Sequence, residues 1–327
     1  MAKKNRTVYV CQSCGYSAPR WMGKCPECSE WNTLSEEAVP AQKKSVRGNA
    51  GPARPPVSID AVPAETTSRF ATGLSEFDRV LGGGLVRGGV FLVGGAPGIG
   101  KSTLLLQVGH YVARSGKKAL YVSGEESLQQ IKMRAERIQV SGKDYLFNEE
   151  TNAEKLSELL KQVKPDIAVI DSVQTLYSDE LDSIAGNLSQ VRLCGYKLTL
   201  TAKESGIPLF LVGHVTKEGR IAGPRVLEHL VDGLLMLEGD GQHQYRMLRG
   251  VKNRFGSTNE VGIFEMTGSG IGQVENPSSL LMGDHSEPVE GTAVTVSVEG
   301  TRPLLVEVQA LATASKYGVP QRIATGI

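Results

Sequence analysis

The sequence predicts an α/β protein built on a mostly parallel sheet, with a small cysteine-rich segment before it and a strand-rich segment after it. Three observations predict this. From Phe70 to about Pro277, short apolar runs alternate with helix-spaced stretches, the pattern of strands joined by helices that cover both sheet faces. One of these strands leads into Gly95-Ala-Pro-Gly-Ile-Gly-Lys-Ser102, which matches G-x-x-x-x-G-K-[ST]. Four of the five cysteines lie in the first 28 residues, as two C-x-x-C pairs.

Bulk properties bound the answer without deciding it. A chain of 327 residues is expected to hold two or three units, at roughly 100–200 residues each. Its 40% hydrophobic and 22% charged content is that of an ordinary soluble protein. No stretch approaches the roughly 20 apolar residues that a membrane-spanning helix needs. The start, Met1-Ala-Lys-Lys-Asn-Arg6, lacks the apolar core of a secretory signal. A reducing cytoplasm is the expected compartment. A net charge of +1 neither supports nor excludes nucleic-acid binding, because phosphate contacts need a local concentration of cations.

Residues 1–35 read as a C4 zinc finger. Cys11-Gln-Ser-Cys14 and Cys25-Pro-Glu-Cys28 are two knuckles separated by a short polar loop. Four thiolates brought together in this way hold Zn²⁺ tetrahedrally, and the metal replaces the core so short a segment lacks. A disulfide framework does not suit a reducing compartment. The fifth cysteine, Cys194, falls in a helical pattern and reads as a small buried hydrophobe. Residues 36–65 carry Pro40, Pro52, Pro55, Pro56 and Pro63 without apolar periodicity, the composition of a flexible linker.

Residues 66–280 form the expected core. Val90–Val93, Ala119–Val122, Ile167–Ile170 and Pro208–Val212 read as buried strands; Ser102–Arg114, Leu128–Ile138, Glu154–Val163 and Ser183–Glu204 read as helices. Gly233–Leu237, Gln244–Val251 and Val261–Glu265 suggest an antiparallel extension. Residues 284–327 alternate as Ala293–Val298 and Leu304–Val308 and read as part of a further domain that the chain enters without completing.

The chemistry of the glycine-rich segment explains its residue types. Gly95, Ala96, Pro97, Gly98, Ile99 and Gly100 would curl backbone N–H groups around phosphate oxygens, and the helix start at Lys101, Ser102 and Thr103 adds partial positive charge. Lys101 would reach the terminal phosphates and the Ser102 hydroxyl would ligate Mg²⁺. Asp171, ending an apolar strand, is the expected second magnesium group. Ser123-Gly-Glu-Glu126 ends another strand at the same edge, so a carboxylate there can activate water. Glu125 is preferred over Glu126, although spacing separates them poorly and one of the two is expected to be a solvated helix-start carboxylate. His214 ends the strand Pro208–Gly213 at that edge, placed to sense the γ-phosphate. The loop Thr216–Arg225 beyond it, with its glycines and cations, suits either a grip on a nucleic-acid backbone or an unpartnered surface.

Taken together, the cysteine pairs, the run Thr72–Asp78 with Gly82-Gly-Gly84, the glycine-rich segment and Lys252-Asn-Arg-Phe-Gly256 resemble the bacterial RadA (Sms) family of DNA-repair ATPases, which has a RecA-like P-loop core. Val289-Glu-Gly291, Glu299–Pro303 and Val306–Ala310 are similar to the start of that family's Lon-protease-like α+β domain. The resemblance implies Glu125 as the water-activating residue and His214 as the phosphate sensor. It further implies that Lys252 and Arg254 act on a neighbouring subunit's nucleotide, on DNA, or on both. Its implied partners are single-stranded and branched DNA and the RecA recombinase, with a homo-hexameric ring translocating on DNA. ATP, Mg²⁺ and Zn²⁺ are the implied cofactors. Two other readings fit parts of the chain: a nucleotide-dependent switch ATPase of the circadian-clock type, and a non-enzymatic adaptor acting through its zinc finger.

Overall fold

The computed structural model describes residues 6–11, 16–39, 57–61, 69–213, 225–239, 244–278, 282, 289–314 and 322–324. The chain divides into two compact units, Met1–Val274 and Glu275–Ile327.

The first unit opens with a small ribbon in which β1 (Arg6–Cys11) pairs antiparallel with both β2 (Ser17–Ala18) and β3 (Leu34–Val39). The third strand runs four residues into the stretch expected as linker, because Glu36 through Val39 find backbone partners on Tyr9 through Arg6. Nothing in the side-chain pattern announces such pairing.

A short pair, β4 (Arg69–Phe70) and β5 (Leu85–Val86), flanks helix α1 (Ser75–Leu81). Gly82 ends α1 in the left-handed conformation, with φ of 84°, where glycine carries no side-chain penalty. The chain then runs β6 (Val90–Gly95), α2 (Lys101–Arg114), β7 (Ala119–Ser123), α3 (Leu128–Arg137), β8 (Tyr145–Asn148), α4 (Ala153–Val163), β9 (Ile167–Asp171), α5 (Leu188–Ser205) and β10 (Leu209–Val212). Helix α6 (Arg225–Leu230) leads to β11 (Gly233–Glu238), β12 (Tyr245–Asn253), β13 (Val261–Thr267) and β14 (Gly270–Gln273).

Among the described residues these strands form one sheet in the order β14-β13-β12-β11-β6-β10-β9-β7-β8. Strands β8 through β11 are parallel, and β12, β13 and β14 continue antiparallel. Every residue of β6, β7, β9 and β10 is buried, which is why each reads as an unbroken apolar run rather than an alternating one. Their side chains divide between two cores. Phe91, Val93, Tyr121, Val169 and Phe210 pack with α1, α2 and α3; Val90, Leu92, Val122, Ile170 and Leu211 pack with α4, α5 and α6.

Several elements go beyond the expected ones, β8 and α1 among them. Strand β8 is a four-residue edge strand bounded by polar residues, and only its pairing with β7 makes it a strand. Helix α1 lies within the Thr72–Gly84 run, where its Gly82 cap was the available signal. Helix α5 also starts later than its spacing suggests. Asn187 caps it by accepting from the Ser189 N–H at 3.1 Å, and the buried Gln190 amide donates to the Ser183 carbonyl at 2.7 Å, holding the preceding turn as a loop.

In the second unit, β15 (Thr292–Glu299) and β16 (Arg302–Gln309) form an antiparallel hairpin. Gly300 turns it with φ of 65°.

Phe210 is fully buried and stacks on Phe91 at 5.2 Å between ring centroids. Phe210→Ala should destabilise the core by about 3–5 kcal/mol, read as a lowered denaturation midpoint; an unchanged midpoint would mean that this contact does not support the sheet.

Candidate active site and metal centre

The glycine-rich segment begins where β6 ends. A Cβ on Gly95 would stand 2.5 Å from the Leu237 carbonyl oxygen of the neighbouring strand β11. Gly98 and Gly100 have φ of 75° and 113°, values that strain any residue with a side chain. Ala96 and Pro97 are exposed while Ile99 is buried. The Ile99 carbonyl accepts from Nε of the buried Arg246 at 3.2 Å, a brace on the loop that no motif signals. Gly100 begins α2 without a side-chain cap. The first-turn N–H groups of Lys101, Ser102 and Thr103 therefore face the loop with the positive end of the helix dipole, an arrangement suited to an anion.

Lys101 is buried, and its Nζ donates to the carbonyls of Gly95 at 2.8 Å and Ala96 at 3.0 Å. Burial pulls its pKa below the ordinary lysine value, and the charges of Asp171 and Glu125 act in the opposite sense. Asp171 and Glu125 are thus the carboxylates whose charge acts on Lys101.

Asp171 is buried at the end of β9, beside Ser123 at the end of β7. Its backbone carbonyl accepts from the Gly124 N–H at 2.8 Å, which brings the Gly-Glu-Glu turn against it. Gly124 leaves no room for a side chain, since a Cβ would meet Thr175 Oγ1 at 2.0 Å. Glu125 Oε1 accepts from the buried Ser172 hydroxyl at 2.6 Å. Glu126 instead pairs with Arg134 of α3 at 2.8 Å. Tertiary contact thus separates two carboxylates that spacing left level: one turns to the buried strand end, the other to a helix. Tyr121 lies fully buried in β7, its hydroxyl donating to Asp171 Oδ2 and accepting from Arg134 Nη2 at 3.3 Å. Burial, then the Asp171 charge, pushes that phenol well above its usual range. Sequence reasoning passed over Tyr121; the available signal was a hydroxyl-bearing ring in an otherwise apolar strand.

His214 and residues 216–224 lie outside the described residues, as does Cys14. Gly213, immediately before His214, donates to the Val93 carbonyl at 3.0 Å, so β10 ends at the same edge as β6.

Lys252 and Arg254 lie at the opposite edge. Strand β11 places Gly233 beside Phe91 and Leu237 beside Gly95, and β12 runs back to put Lys252 beside Leu234. The Lys252 ammonium donates to the carbonyls of Glu228 at 2.5 Å and Val231 at 2.9 Å, at the end of α6. Burial, then the neighbouring Arg254, lowers its pKa. The Arg254 guanidinium meets Asp232 at 3.1 Å. The buried Asp232 also binds Lys203 at 3.0 Å and the Val90 N–H at 3.1 Å.

In the ribbon, the Sγ atoms of Cys11, Cys25 and Cys28 all lie within 4.8 Å of one another. The Cys11 N–H donates to the Tyr16 carbonyl at 2.8 Å and the Cys25 N–H to that of Glu30 at 2.9 Å, closing two turns around the thiols. Three converging soft donors fit Zn²⁺. Cys194 is buried in α5, and burial pushes its thiol up to about 12, as expected of a structural cysteine.

A glycine-rich loop opening a helix, with a lysine and strand-end carboxylates converging on it in a parallel sheet, defines a P-loop ATPase of RecA-like fold. The family model described as KaiC, an ATPase, matches residues 70–278, and that of the rubredoxin metal binding domain matches residues 9–36. The chain is 52% identical to the DNA repair protein RadA of Listeria monocytogenes, over all of this chain and 72% of that protein. It is 48% identical to RadA of Bacillus subtilis, over 99% of this chain and 72% of the relative, and 49% identical to RadA of Halalkalibacterium halodurans, over 100% and 72%. The chain belongs to the RadA family.

Both tryptophans, Trp21 and Trp31, lie in the ribbon and are exposed. Chelation of zinc should shift their emission and unfold the ribbon, since a segment of this size depends on its metal; emission unaltered by a strong chelator would separate ribbon folding from zinc.

Proposed function

We propose that this protein is a DNA-dependent ATPase of recombinational repair, which couples ATP hydrolysis to movement along single-stranded DNA. The observation that carries this reading is the convergence of Lys101, Asp171 and Glu125 at the carboxyl edge of the parallel sheet, in a chain about 50% identical to DNA repair proteins. The KaiC match describes the ATPase core that the switch reading shares; the ribbon and the likeness to RadA along the whole of this chain favour repair.

The loop Gly95–Gly100 and the first turn of α2 cradle the phosphates, and Lys101 neutralises charge on the terminal group. Ser102 and Asp171 are hard oxygen donors of the kind that would hold Mg²⁺, which would supply positive charge to the phosphate oxygens. Glu125, oriented by Ser172, accepts the proton of the attacking water. His214 senses the γ-phosphate and the following loop, 216–224, grips single-stranded or branched DNA.

Lys252 and Arg254 lie at the far edge from the chain's own phosphate loop. Strand β6 alone separates the two edges by five residue steps, roughly 16 Å. This separation supports their action on a neighbouring subunit, hence a ring, and a homo-hexamer is the form the family resemblance implies. RecA recombinase is the partner proposed on the same ground. Residues 1–35 act as the zinc finger, 36–65 as linker, 66–280 as motor core and 284–327 as part of a Lon-protease-like domain. The cytoplasm, where DNA and ATP are both present, is the proposed compartment.

ATP turnover measured with and without single-stranded DNA, across protein concentration, tests this. Stimulation by DNA that also rises with concentration supports a motor with shared sites; turnover indifferent to both favours the switch reading. Lys101→Ala should lower turnover ~100-fold or more while the fold persists. Arg254→Ala should lower it on the order of 10³-fold, and mixing that variant with Glu125→Ala should restore part of the activity. Mixed assemblies as inactive as their components would rule out action in trans.

A further inference from the structure

We propose that Tyr121 is a positioning residue for the metal-binding carboxylate, holding Asp171 Oδ2 so that Oδ1 is presented to the magnesium ion, with Arg134 and Glu126 completing the relay behind it. This rests on the reading of Asp171 as a magnesium group.

The relay runs from Asp171 through the Tyr121 hydroxyl and Arg134 Nη2 to Glu126 Oε2. Each group has one role open to it. A phenol has a single proton, and Tyr121 spends it on Asp171 Oδ2. Its oxygen accepts from Arg134 Nη2 at 3.3 Å, while the same nitrogen reaches Glu126 at 2.8 Å, so the two Nη2 protons are shared between them. Arginine donating into the phenol oxygen polarises the O–H toward the carboxylate.

Rigidity follows from burial. Tyr121 is fully buried, with Phe147 at 6.1 Å between ring centroids, and Asp171 is 4% exposed. A carboxylate with one oxygen pinned cannot rotate its other oxygen away from a ligand, which is how outer hydrogen bonds tune metal sites. The same relay draws Glu126 toward α3, leaving Glu125 as the carboxylate beside Ser172. The arrangement therefore assigns different work to the two adjacent glutamates: Glu125 to water, Glu126 to anchoring the relay.

The test is Mn²⁺ binding to the protein in the presence of ADP, followed by the paramagnetic resonance of free Mn²⁺, alongside the Mg²⁺ dependence of ATP turnover. Tyr121→Phe keeps the ring and removes the hydroxyl. It should weaken Mn²⁺ about 10-fold and raise the Mg²⁺ needed for half-maximal turnover to match, with metal-free ADP affinity held within about twofold. Turnover should recover at saturating Mg²⁺, a split between metal affinity and kcat that general loosening of the core would not give. Arg134→Met, which leaves the Tyr121 hydroxyl donating to Asp171, should shift Mn²⁺ binding in the same direction by less, and it carries the test if Tyr121→Phe does not fold. Unchanged metal binding in Tyr121→Phe, or a larger effect in Arg134→Met than in Tyr121→Phe, would overturn the proposal. Asp171→Asn separates the two levels. Metal weakened by Asp171→Asn but not by Tyr121→Phe sinks only the positioning role; metal untouched by both sinks the assignment of Asp171 itself.

Discussion

The hydrogen-bond register of four buried parallel strands decides where the reacting groups meet. Leu209 lies beside both Val90 and Ala168, and Ala119 lies beside Ile167, so β10, β9 and β7 end level at Val212, Asp171 and Ser123, and β6 runs on past Val93 to Gly95 at the same edge. A slip of one residue would turn each strand's side chains to the other face and move Asp171 away from Ser123. Such a slip is opposed because both faces are covered: Phe91 and Val93 fill one core while Val90 and Leu92 fill the other. The positions of the phosphate loop, Asp171 and the Ser123–Glu126 turn are thus consequences of one alignment.

At the other edge, a single buried carboxylate does comparable work. Asp232 binds the Val90 N–H, Lys203 and Arg254, so the first residue of the phosphate-loop strand and the Lys252–Gly256 turn share an anchor. Burial would penalise this charge heavily without partners, and here two cations and a backbone donor compensate it. Arg254 is half exposed on its side chain, and ion pairs open to water are weak. Release of Arg254 toward a neighbouring molecule would leave Asp232 still held by Lys203 and Val90. The anchor therefore does not prevent the arginine from acting elsewhere.

The ribbon solves the opposite problem. Among the described residues its three-stranded sheet is too small to enclose a core, and the buried cluster there comprises Cys11, Ala18, Cys25 and Leu34. Thiols placed within a few ångströms of one another repel when ionised, so the cation that joins them also supplies the cohesion that packing supplies in the core.

Periodicity and motif chemistry carried much of this protein. The strands through Val90, Ala119, Ile167 and Leu209 were legible because parallel strands buried on both faces leave unbroken apolar runs, and the Gly95–Ser102 loop because each residue type there answers a backbone or phosphate demand. Strand β8 and the Glu36–Val39 extension of β3 were not legible, since their partners are remote backbone groups that leave no pattern in their own side chains. The different partners of Glu125 and Glu126, the hydrogen bonds through Tyr121, the brace from Arg246 and the anchor at Asp232 are likewise visible only in three dimensions. Local sequence fixes which residues can do chemistry and which segments can be strands. Their partners, drawn from strands and helices 8 to 147 positions away, are set by how those strands are ordered in the sheet.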